Sequence, residues 1–283
     1  MEARLQVEVG RWRMIGRSIR GASHVRSGLP NQDSIGWIET AQGAALLAAV
    51  ADGHGSPKCF RSDAGSRFAV EAAKETVSDF LQRGDPAGAE GLPEQLVRAW
   101  RSRVYDHLRQ EPLSPALLQD LERRMGRTAR ASIEAEPSLA YGATVLAAAV
   151  TASSALYLQL GDGDILAVSP EAAVSRPWAR DPRHFGGETT SLAAPDAAQD
   201  VRLRVVAGDA LPELILLSTD GYADSFREED GFLAVGCDLI RMIREEGIGP
   251  IEANLEGWLW EASELGSGDD VTVGILWREP PAT

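Results

Sequence analysis

The most informative stretch of the sequence is LLAAVADGHG, from Leu46 to Gly55. Its first six residues are apolar and include no turn former, which is typical of a buried β-strand. The first charged residue, Asp52, stands where the apolar run ends, and Gly53 follows it directly. A carboxylate and a glycine at the mouth of a core strand indicate either a simple turn or a binding site at the edge of a sheet.

The bulk composition is that of a globular protein, and its charge argues against nucleic-acid binding. The chain has 283 residues, of which 44% are hydrophobic and 25% are charged, as in ordinary globular proteins. Its net charge of -14 argues against a nucleic-acid partner, because phosphate contacts need clustered lysine and arginine. We therefore expect residues 1–283 to form a single globular domain that binds no nucleic acid.

The cysteines and the N-terminus predict a cytoplasmic protein. Cys59 and Cys237 lie far apart and form no CxxC pair, so we expect two reduced thiols. The N-terminal residues contain no apolar run of the signal-peptide type. No segment reaches the roughly 18 apolar residues of a membrane span, so we expect no membrane partner.

Strand patterns dominate both ends of the chain, and helical patterns form long blocks between and after them. Alternating or continuous apolar runs predict strands at residues 11–23, 33–40, 43–51, 143–151, 155–163, 164–169, 201–207, 213–221 and 271–277. A turn at Gln42 and Gly43 joins the second and third of these as a hairpin. Helical spacing predicts helices at residues 65–83, 93–108, 114–125, 232–246 and 251–265. Because strands and helices do not alternate regularly, the fold class is α+β with antiparallel sheets.

Four further aspartates repeat the pattern of Asp52. Asp162 and Asp220 follow apolar runs, and Asp33 and Asp269 precede them, each beside a small or turn-forming residue. A single Asp-Gly pair is most often only a turn. Several strand-end carboxylates that meet at one edge would repel one another, and a hard divalent cation such as Mg²⁺ or Mn²⁺ relieves that repulsion. Four histidines and no HExxH motif make a zinc site a poor alternative.

The motifs VADGHG, GATVLAAAV, LGDGD, LLSTDGYAD and GDDVTVGIL, in that order, resemble the PP2C (PPM) family of metal-dependent protein serine/threonine phosphatases. The opening GASHVRSGLPNQDS is similar to a bacterial branch of this family. The resemblance implies a four-layer α-β-β-α sandwich of two antiparallel sheets flanked by helices. It also implies a binuclear Mg²⁺/Mn²⁺ centre, a phosphoprotein substrate and a partner serine/threonine kinase.

The resemblance also assigns roles by motif. Asp52 matches the ligand that bridges both metals, and Gly53 matches the carbonyl ligand. Asp220 and Asp269 match the remaining carboxylate ligands. Asp33 matches an acidic position that contacts metal-bound water. The last of these matches is Asp162, which corresponds to the ligand of a third, weaker metal in bacterial members.

Basic and titratable residues supply further candidates. The implied mechanism is in-line attack of a metal-activated water on phosphorus, which needs no covalent phosphoenzyme. Arg26 is the candidate for holding the phosphate, since a guanidinium matches its geometry, although a solvated loop arginine is an equal alternative. His24 and His54 are candidates for a general acid.

Three residues depart from the usual family pattern. Gln32 stands where the family often has glutamate, Asp270 where asparagine usually follows the last metal ligand, and Asp164 where many members end the motif GDSR. Because Asp52, Gly53, Asp220 and Asp269 are intact, we predict an active enzyme. A catalytically silent binding module and a small-molecule phosphatase remain as alternatives.

Two segments lie outside these motifs. The stretch of about 85–136 is predicted to be mainly helical, with arginines that either dock a partner or cover a sheet as a solvated surface. The irregular stretch of about 170–198 matches the position of the family's flap. Its side chains are either offered to a phosphopeptide or belong to a solvated linker; the candidates are Trp178, Arg180, Arg183 and His184.

Overall fold

The structure is a computed structural model that describes residues 12–40, 44–83, 86–184 and 189–279. Within these ranges ten strands form two antiparallel sheets, with the orders β1-β10-β9-β6-β7 and β2-β3-β4-β5-β8. The strands are β1 (Trp12–Ile19), β2 (Ser34–Glu39), β3 (Ala45–Ala51), β4 (Val145–Thr151), β5 (Ser154–Leu160), β6 (Asp164–Val168), β7 (Val174–Ser175), β8 (Arg202–Ala207), β9 (Leu214–Ser218) and β10 (Val271–Arg278).

Helices cover the outer face of each sheet. The α-helices of the described residues are α1 (Ala22–Ser27), α2 (Ser62–Arg83), α3 (Leu92–Gln110), α4 (Pro115–Ala135), α5 (Ala197–Asp200), α6 (Asp220–Ala223), α7 (Glu229–Glu246) and α8 (Gly249–Ala262), of which the long ones form the outer layers. The long helix α2 packs on β2 and β3, and α3 packs on α2. On the other sheet α7 packs against β6 and α8 against β1.

Strand β3 shows how the sequence builds the layers. Successive side chains of a strand point to opposite faces, so an entirely apolar strand serves two cores. Leu47 and Ala49 face the core shared with α2 and α3, whereas Ala48 and Val50 face the core between the sheets. A third core joins the other sheet to α7 and α8. Three apolar layers between four layers of elements confirm the predicted α-β-β-α sandwich.

The helix α3 follows its predicted spacing closely. Leu96, Trp100 and Val104 recur at every fourth residue and are fully buried. The indole of Trp100 donates a hydrogen bond to the carbonyl oxygen of Gly65 on α2, at 3.0 Å. This bond satisfies the polar atom that burial of a tryptophan brings into the core.

Several predicted boundaries are wrong. The opening strand ends at Ile19 rather than at residue 23, because α1 begins at Ala22. The third helix continues to Ala135, ten residues beyond its predicted end, through a kink at Gly126, where φ is +85° and a side chain would be strained. The short helices α1, α5 and α6 have no periodicity of their own and were not expected.

Two loop predictions have mixed outcomes. The turn at Gln42 and Gly43 lies outside the described residues, but β2 and β3 pair antiparallel as the hairpin requires. The irregular stretch of about 170–198 contains β7, the 3₁₀ turn Pro182–His184 and the start of α5, and the side chain of His184 is outside the described part. None of the helices described is long and apolar enough to cross a membrane.

Candidate metal centre

The predicted metal-site carboxylates lie at strand ends on one edge of the sandwich. Asp33 precedes β2, Asp52 follows β3 and Asp162 follows β5, all in one sheet. Asp220 follows β9 and Asp269 precedes β10 in the other sheet. The site is therefore built across the seam between the two sheets.

A cavity of about 950 Å³ opens at this edge. Asp52, Gly53, Asp162, Asp220 and Asp269 all contribute to its wall. The residues that line the rest of the wall are His24, Gln32, His54, Gly55, Ser56, Lys58, Cys59, Leu139, Gly142, Thr189, Ser191, Ala193, Ala194 and Pro195. The four residues predicted as the main metal ligands, Asp52, Gly53, Asp220 and Asp269, thus line one cavity.

Burial and mutual repulsion act on the carboxylates of the cavity. Burial raises the pKa of Asp52 well above its usual value, and the negative charges of Asp33, Asp269 and Asp162 raise it further. Burial likewise raises the pKa of Asp220, with added repulsion from Asp52, Asp162 and Asp269. The negative charges of these side chains repel one another, and a divalent cation among them would offset that repulsion.

Asp33 is buried and is not one of the described residues that line the cavity. The hydroxyl of Thr219 donates a hydrogen bond to its carboxylate at 2.7 Å. Burial raises the pKa of Asp33, whereas hydrogen bonds from Thr272 and Thr219 oppose the rise. Thr219 also accepts a hydrogen bond from the backbone of Thr272, so one hydroxyl joins the end of β9, the start of β10 and Asp33.

Gly53 is enclosed by backbone. Its N–H donates to the carbonyl oxygen of Gln32 at 3.1 Å. A Cβ atom placed on Gly53 would lie 2.5 Å from the carbonyl oxygen of Ser62 and 2.7 Å from that of Gln32. Only glycine fits here, so the residue after Asp52 is fixed by packing as well as by any role in metal binding.

The residues present fit a divalent cation. The four aspartates that converge on the cavity supply hard oxygen atoms, which Mg²⁺ and Mn²⁺ prefer. Two buried oxygens, Gln32 Oε1 and Asp162 Oδ1, have no hydrogen-bond partner in the part of the chain that the structure describes. Buried polar atoms are seldom left unpaired in proteins, so both are suited to an ion or to its water.

Comparison with known proteins identifies the family. The sequence matches the family model described as Protein phosphatase 2C over residues 20–260, which is most of the chain. This protein belongs to the protein phosphatase 2C family. The family is metal-dependent and its members are phosphoprotein phosphatases, so the predicted family and enzyme class are confirmed. A search of curated proteins found no match.

Solved structures of other family members share the fold. A bacterial serine phosphatase has a TM-score of 0.61 at 14% identity, covering 95% of this chain and 99% of its own. Stp1 from Staphylococcus aureus, a serine/threonine phosphatase, has a TM-score of 0.59 at 15% identity over 99% of this chain and all of its own. PppA, a regulatory component of the type VI secretion system (T6SS) in Pseudomonas aeruginosa, has a TM-score of 0.57 at 16% identity over 95% of this chain and 99% of its own. At these identities the likeness shows the fold alone.

Asp270, the departure from the family's usual asparagine, is buried and holds two backbone segments. One carboxylate oxygen accepts a hydrogen bond from Gly21 N–H and the other from Gln32 N–H, both at 2.6 Å. His24 Nδ1 lies 2.9 Å from the second oxygen, and His24 Nε2 lies 3.7 Å from Asp269. A carboxylate can accept both backbone bonds, whereas an asparagine side chain has only one oxygen.

Asp164, the departure from the family's GDSR motif, is also buried and paired. Arg176 Nε donates to one of its oxygens, and Arg180 Nη2 donates to the other at 3.0 Å. Both arginines come from the flap-like stretch of about 170–198. Arg183 of the same stretch pairs with Asp181 and Asp200. Arg176 and Arg180 thus hold the flap-like stretch against Asp164 at the start of β6.

Arg26 and His54 lie in different surroundings. Arg26 is an exposed residue of α1 and is not among the described residues that line the cavity, so its predicted contact with phosphate stays a prediction. His54 lines the cavity, and burial lowers its pKa. Its neutral form therefore predominates near pH 7, which favours a hydrogen-bonding role over proton donation by an imidazolium.

Some residues at the site were missed by sequence reasoning. Thr219 was overlooked although it stands directly before Asp220, where a hydroxyl in the motif STDG could have been noticed. Asp224 lines a second cavity of about 350 Å³ that shares Asp162 and Asp220 with the first. Lys58 lines the first cavity, and no motif pointed to it.

Proposed function

We propose that this protein is a metal-dependent protein serine/threonine phosphatase with two Mg²⁺ or Mn²⁺ ions at the strand-end carboxylates. The proposed ligands are Asp52, the Gly53 carbonyl, Asp220 and Asp269. The convergence of these residues from two sheets on one cavity carries the proposal. Their carboxylates repel one another there, and hard cations would offset that charge.

Neighbouring side chains have supporting roles in this proposal. Asp33 is held by Thr219 and would orient water at the centre. Gln32 donates from Nε2 to Ser62 Oγ at 2.5 Å, which leaves its unpaired Oε1 for a water at the site. Asp162 is the proposed ligand of a third, weaker ion, which its own unpaired oxygen supports.

The reaction needs no covalent intermediate on a cysteine. When bound, the ions lower the pKa of water at the site and offset the charge of the phosphoryl oxygens. Burial raises the pKa of the Cys59 thiol, so this residue stays protonated and is a poor nucleophile. Cys237 lies on α7 in the outer helical layer and donates a weak hydrogen bond to the carbonyl oxygen of Ala172 at 3.3 Å.

The proposed substrate is a protein that carries phosphoserine or phosphothreonine, produced by a serine/threonine kinase. The cavity volume of about 950 Å³ exceeds what a phosphoryl group alone requires. Its wall away from the carboxylates includes Leu139, Ala193 and Pro195, which suits contact with peptide.

Hydrolysis of phosphoserine and phosphothreonine peptides with added Mn²⁺ tests the proposal, together with calorimetry of Mn²⁺ binding. We expect Mn²⁺-dependent release of phosphate that is lost in Asp52→Asn and in Asp220→Asn. Asp238→Asn is the matched control, because Asp238 is exposed on α7 and pairs with Arg241 of the same helix. Its activity should equal that of the wild type.

The same measurements separate the alternatives. Binding of Mn²⁺ without hydrolysis of any phosphate ester would indicate a silent binding module. Faster turnover of sugar phosphates than of phosphopeptides would indicate a small-molecule phosphatase. If the wild type takes up no Mn²⁺, the proposed centre is wrong.

A further inference from the structure

Lys58 is held in the cavity wall by a tight turn. The turn spans Ser56 to Cys59, and the Cys59 N–H donates to the Ser56 carbonyl oxygen at 2.7 Å. Pro57 occupies the second position of the turn, where its fixed φ is favoured. The N–H of Lys58 also points to the Ser56 hydroxyl, at 3.4 Å.

The turn is anchored by the residue that ends it. Cys59 is buried, and its sulfur lies against Gly142, 3.0 Å from the position that a Cβ atom would take there. The backbone oxygen of Cys59 accepts a hydrogen bond from Ser62 at the start of α2, at 2.9 Å. The turn is thus fixed to the core on one side, and Lys58 is presented to the cavity without a large entropic penalty of ordering the backbone.

Lys58 carries the positive charge of the cavity. Of the described residues that line it, no other is a lysine or arginine, whereas four are aspartates. Lys58 is only half-buried, and none of the described carboxylates forms an ion pair with its ammonium group. An ammonium on a fixed turn that faces a cavity and has no partner there is suited to an anionic ligand.

The arginines near the site are not among the described residues that line this cavity. Arg176 and Arg180 bind Asp164, and Arg26 is exposed outside the cavity wall. With the aspartates offset by bound cations, a dianionic phosphate and any acidic residue near it still need a positive partner. Lys58 is placed to provide one.

We propose that Lys58 is a specificity-determining residue that binds an anionic oxygen group of the phosphoprotein substrate. This inference rests on the proposed function and adds to it a preference for negatively charged substrate. The group is either the phosphoryl oxygens themselves or the carboxylate of a residue next to the phosphorylated one. Both groups present anionic oxygen atoms to Lys58. They differ in which substrates should show a higher KM when the lysine is removed.

Steady-state kinetics of Lys58→Ala and Lys58→Arg provide the first test. We expect KM to rise by about tenfold or more in Lys58→Ala with kcat largely kept, because a hydrogen bond to a charged group is lost, and to recover in Lys58→Arg. An equal rise for p-nitrophenyl phosphate and for peptides would place the phosphoryl group at Lys58. A rise confined to peptides with aspartate or glutamate beside the phosphoserine would place a carboxylate there.

Lysine chemistry provides a second test that does not depend on turnover. The chain has only two lysines, Lys58 and Lys74, and Lys74 pairs with Glu71 on α2. Saturating inorganic phosphate or a non-hydrolysable phosphonate peptide, with Mn²⁺ present, should slow acetylation of Lys58 several-fold, as measured by mass spectrometry. The acetylation of Lys74 should not change, and Lys74→Ala should keep the wild-type KM.

The outcomes distinguish this inference from the proposed function. An active wild type whose KM is unchanged by Lys58→Ala for every substrate, with no protection of Lys58, would overturn the inference and leave the function in place. A wild type that hydrolyses nothing would overturn the function. In that case protection of Lys58 by phosphate would still support an anion site at this residue.

Discussion

The aspartates at the edge of the sandwich fall into two groups that differ in their partners. Asp164 and Asp270 are buried and fully engaged, the first by two guanidinium groups and the second by two backbone N–H groups. Asp52 and Asp220 have mainly other carboxylates around them, and burial raises the pKa of both. The first group is paired within the protein, whereas the second lines the cavity of the proposed metal centre.

This comparison shows where the chain departs from its family and where it does not. Two of the three departures, Asp164 and Asp270, belong to the engaged group, and each has partners from other parts of the sequence. The third, Gln32, lines the cavity and has an unpaired oxygen. The repelling group retains the family's residues. A substitution can be accommodated where protein partners can change with it, whereas a site for a cation depends on the charges themselves.

The largest expected effect comes from removing one charge from the repelling group, Asp52 and Asp220. Asp220→Asn should lower kcat/KM about a thousandfold, roughly 4 kcal/mol, because a proposed ligand of the metal centre loses its charge. The same change should raise the melting temperature of the metal-free protein, since it removes repulsion from Asp52 and Asp162. Hydrolysis of phosphopeptides with Mn²⁺ measures the fall in kcat/KM, and scanning calorimetry in EDTA measures the melting temperature. A lower melting temperature in EDTA would contradict the comparison.

The next effect comes from breaking the engaged group. Asp164→Ala should destabilise the protein by about 3 kcal/mol, because it removes the buried carboxylate that pairs with Arg176 and Arg180 and leaves the mostly buried Arg176 with its exposed partner Glu229. Urea unfolding in EDTA measures this without interference from metal. Asp120→Ala is the control, since Asp120 forms an exposed pair with Arg123 and should change stability little. Equal effects of the two changes would show that Asp164 is not an anchor.

A smaller effect is expected where the carboxylate is replaced by the family's usual residue. Asp270→Asn keeps one oxygen for Gly21 or Gln32 and turns an amide NH₂ toward the other N–H. We expect a loss of about 1.5 kcal/mol in the free energy of unfolding, the effect of one hydrogen bond to a charged group. Amide exchange at Gly21 and Gln32 should speed up at one position more than at the other. Unchanged exchange at both would mean that the carboxylate does not hold these segments.

The smallest expected effect is the change in stability of the metal-free protein with each pH unit. The pKa of Asp33, Asp52 and Asp220 is raised in the folded state, so these carboxyls lose their protons near pH 4 when unfolded and at higher pH when folded. The unfolded state binds fewer protons in that window. The contribution of each group to stability therefore falls as pH rises, by at most about 1.4 kcal/mol per pH unit.

Urea midpoints in EDTA from pH 4 upward would test this slope. Added Mn²⁺ should reduce it, and Asp220→Asn should reduce it in EDTA. A metal-free protein that gains stability across this window would show that other titrating groups outweigh the three aspartates.

The antiparallel α+β class and the strand-end carboxylates could be predicted because both depend on local signals, whereas the four layers followed from the family resemblance. An apolar run such as that of β3 is visible in the sequence, and so is an aspartate placed at its end. The helix α4 beyond Gly126 could not be predicted, because a left-handed residue interrupts its pattern. The partners of Asp164 and Asp270 are also hidden, since they come from residues 12–249 positions away along the chain. Lys58 belongs to a turn whose orientation depends on the buried Cys59.

The position of β10 has a consequence for synthesis of the protein. This strand lies between β1 and β9, so it fills the interior of its sheet although it is translated after every other strand that the structure describes. A nascent chain that ends before this strand lacks the neighbour of β1 in its sheet and the strand that follows Asp269. Phosphatase activity can therefore arise only after the ribosome has released this strand, and a truncated product would leave cellular phosphoproteins untouched.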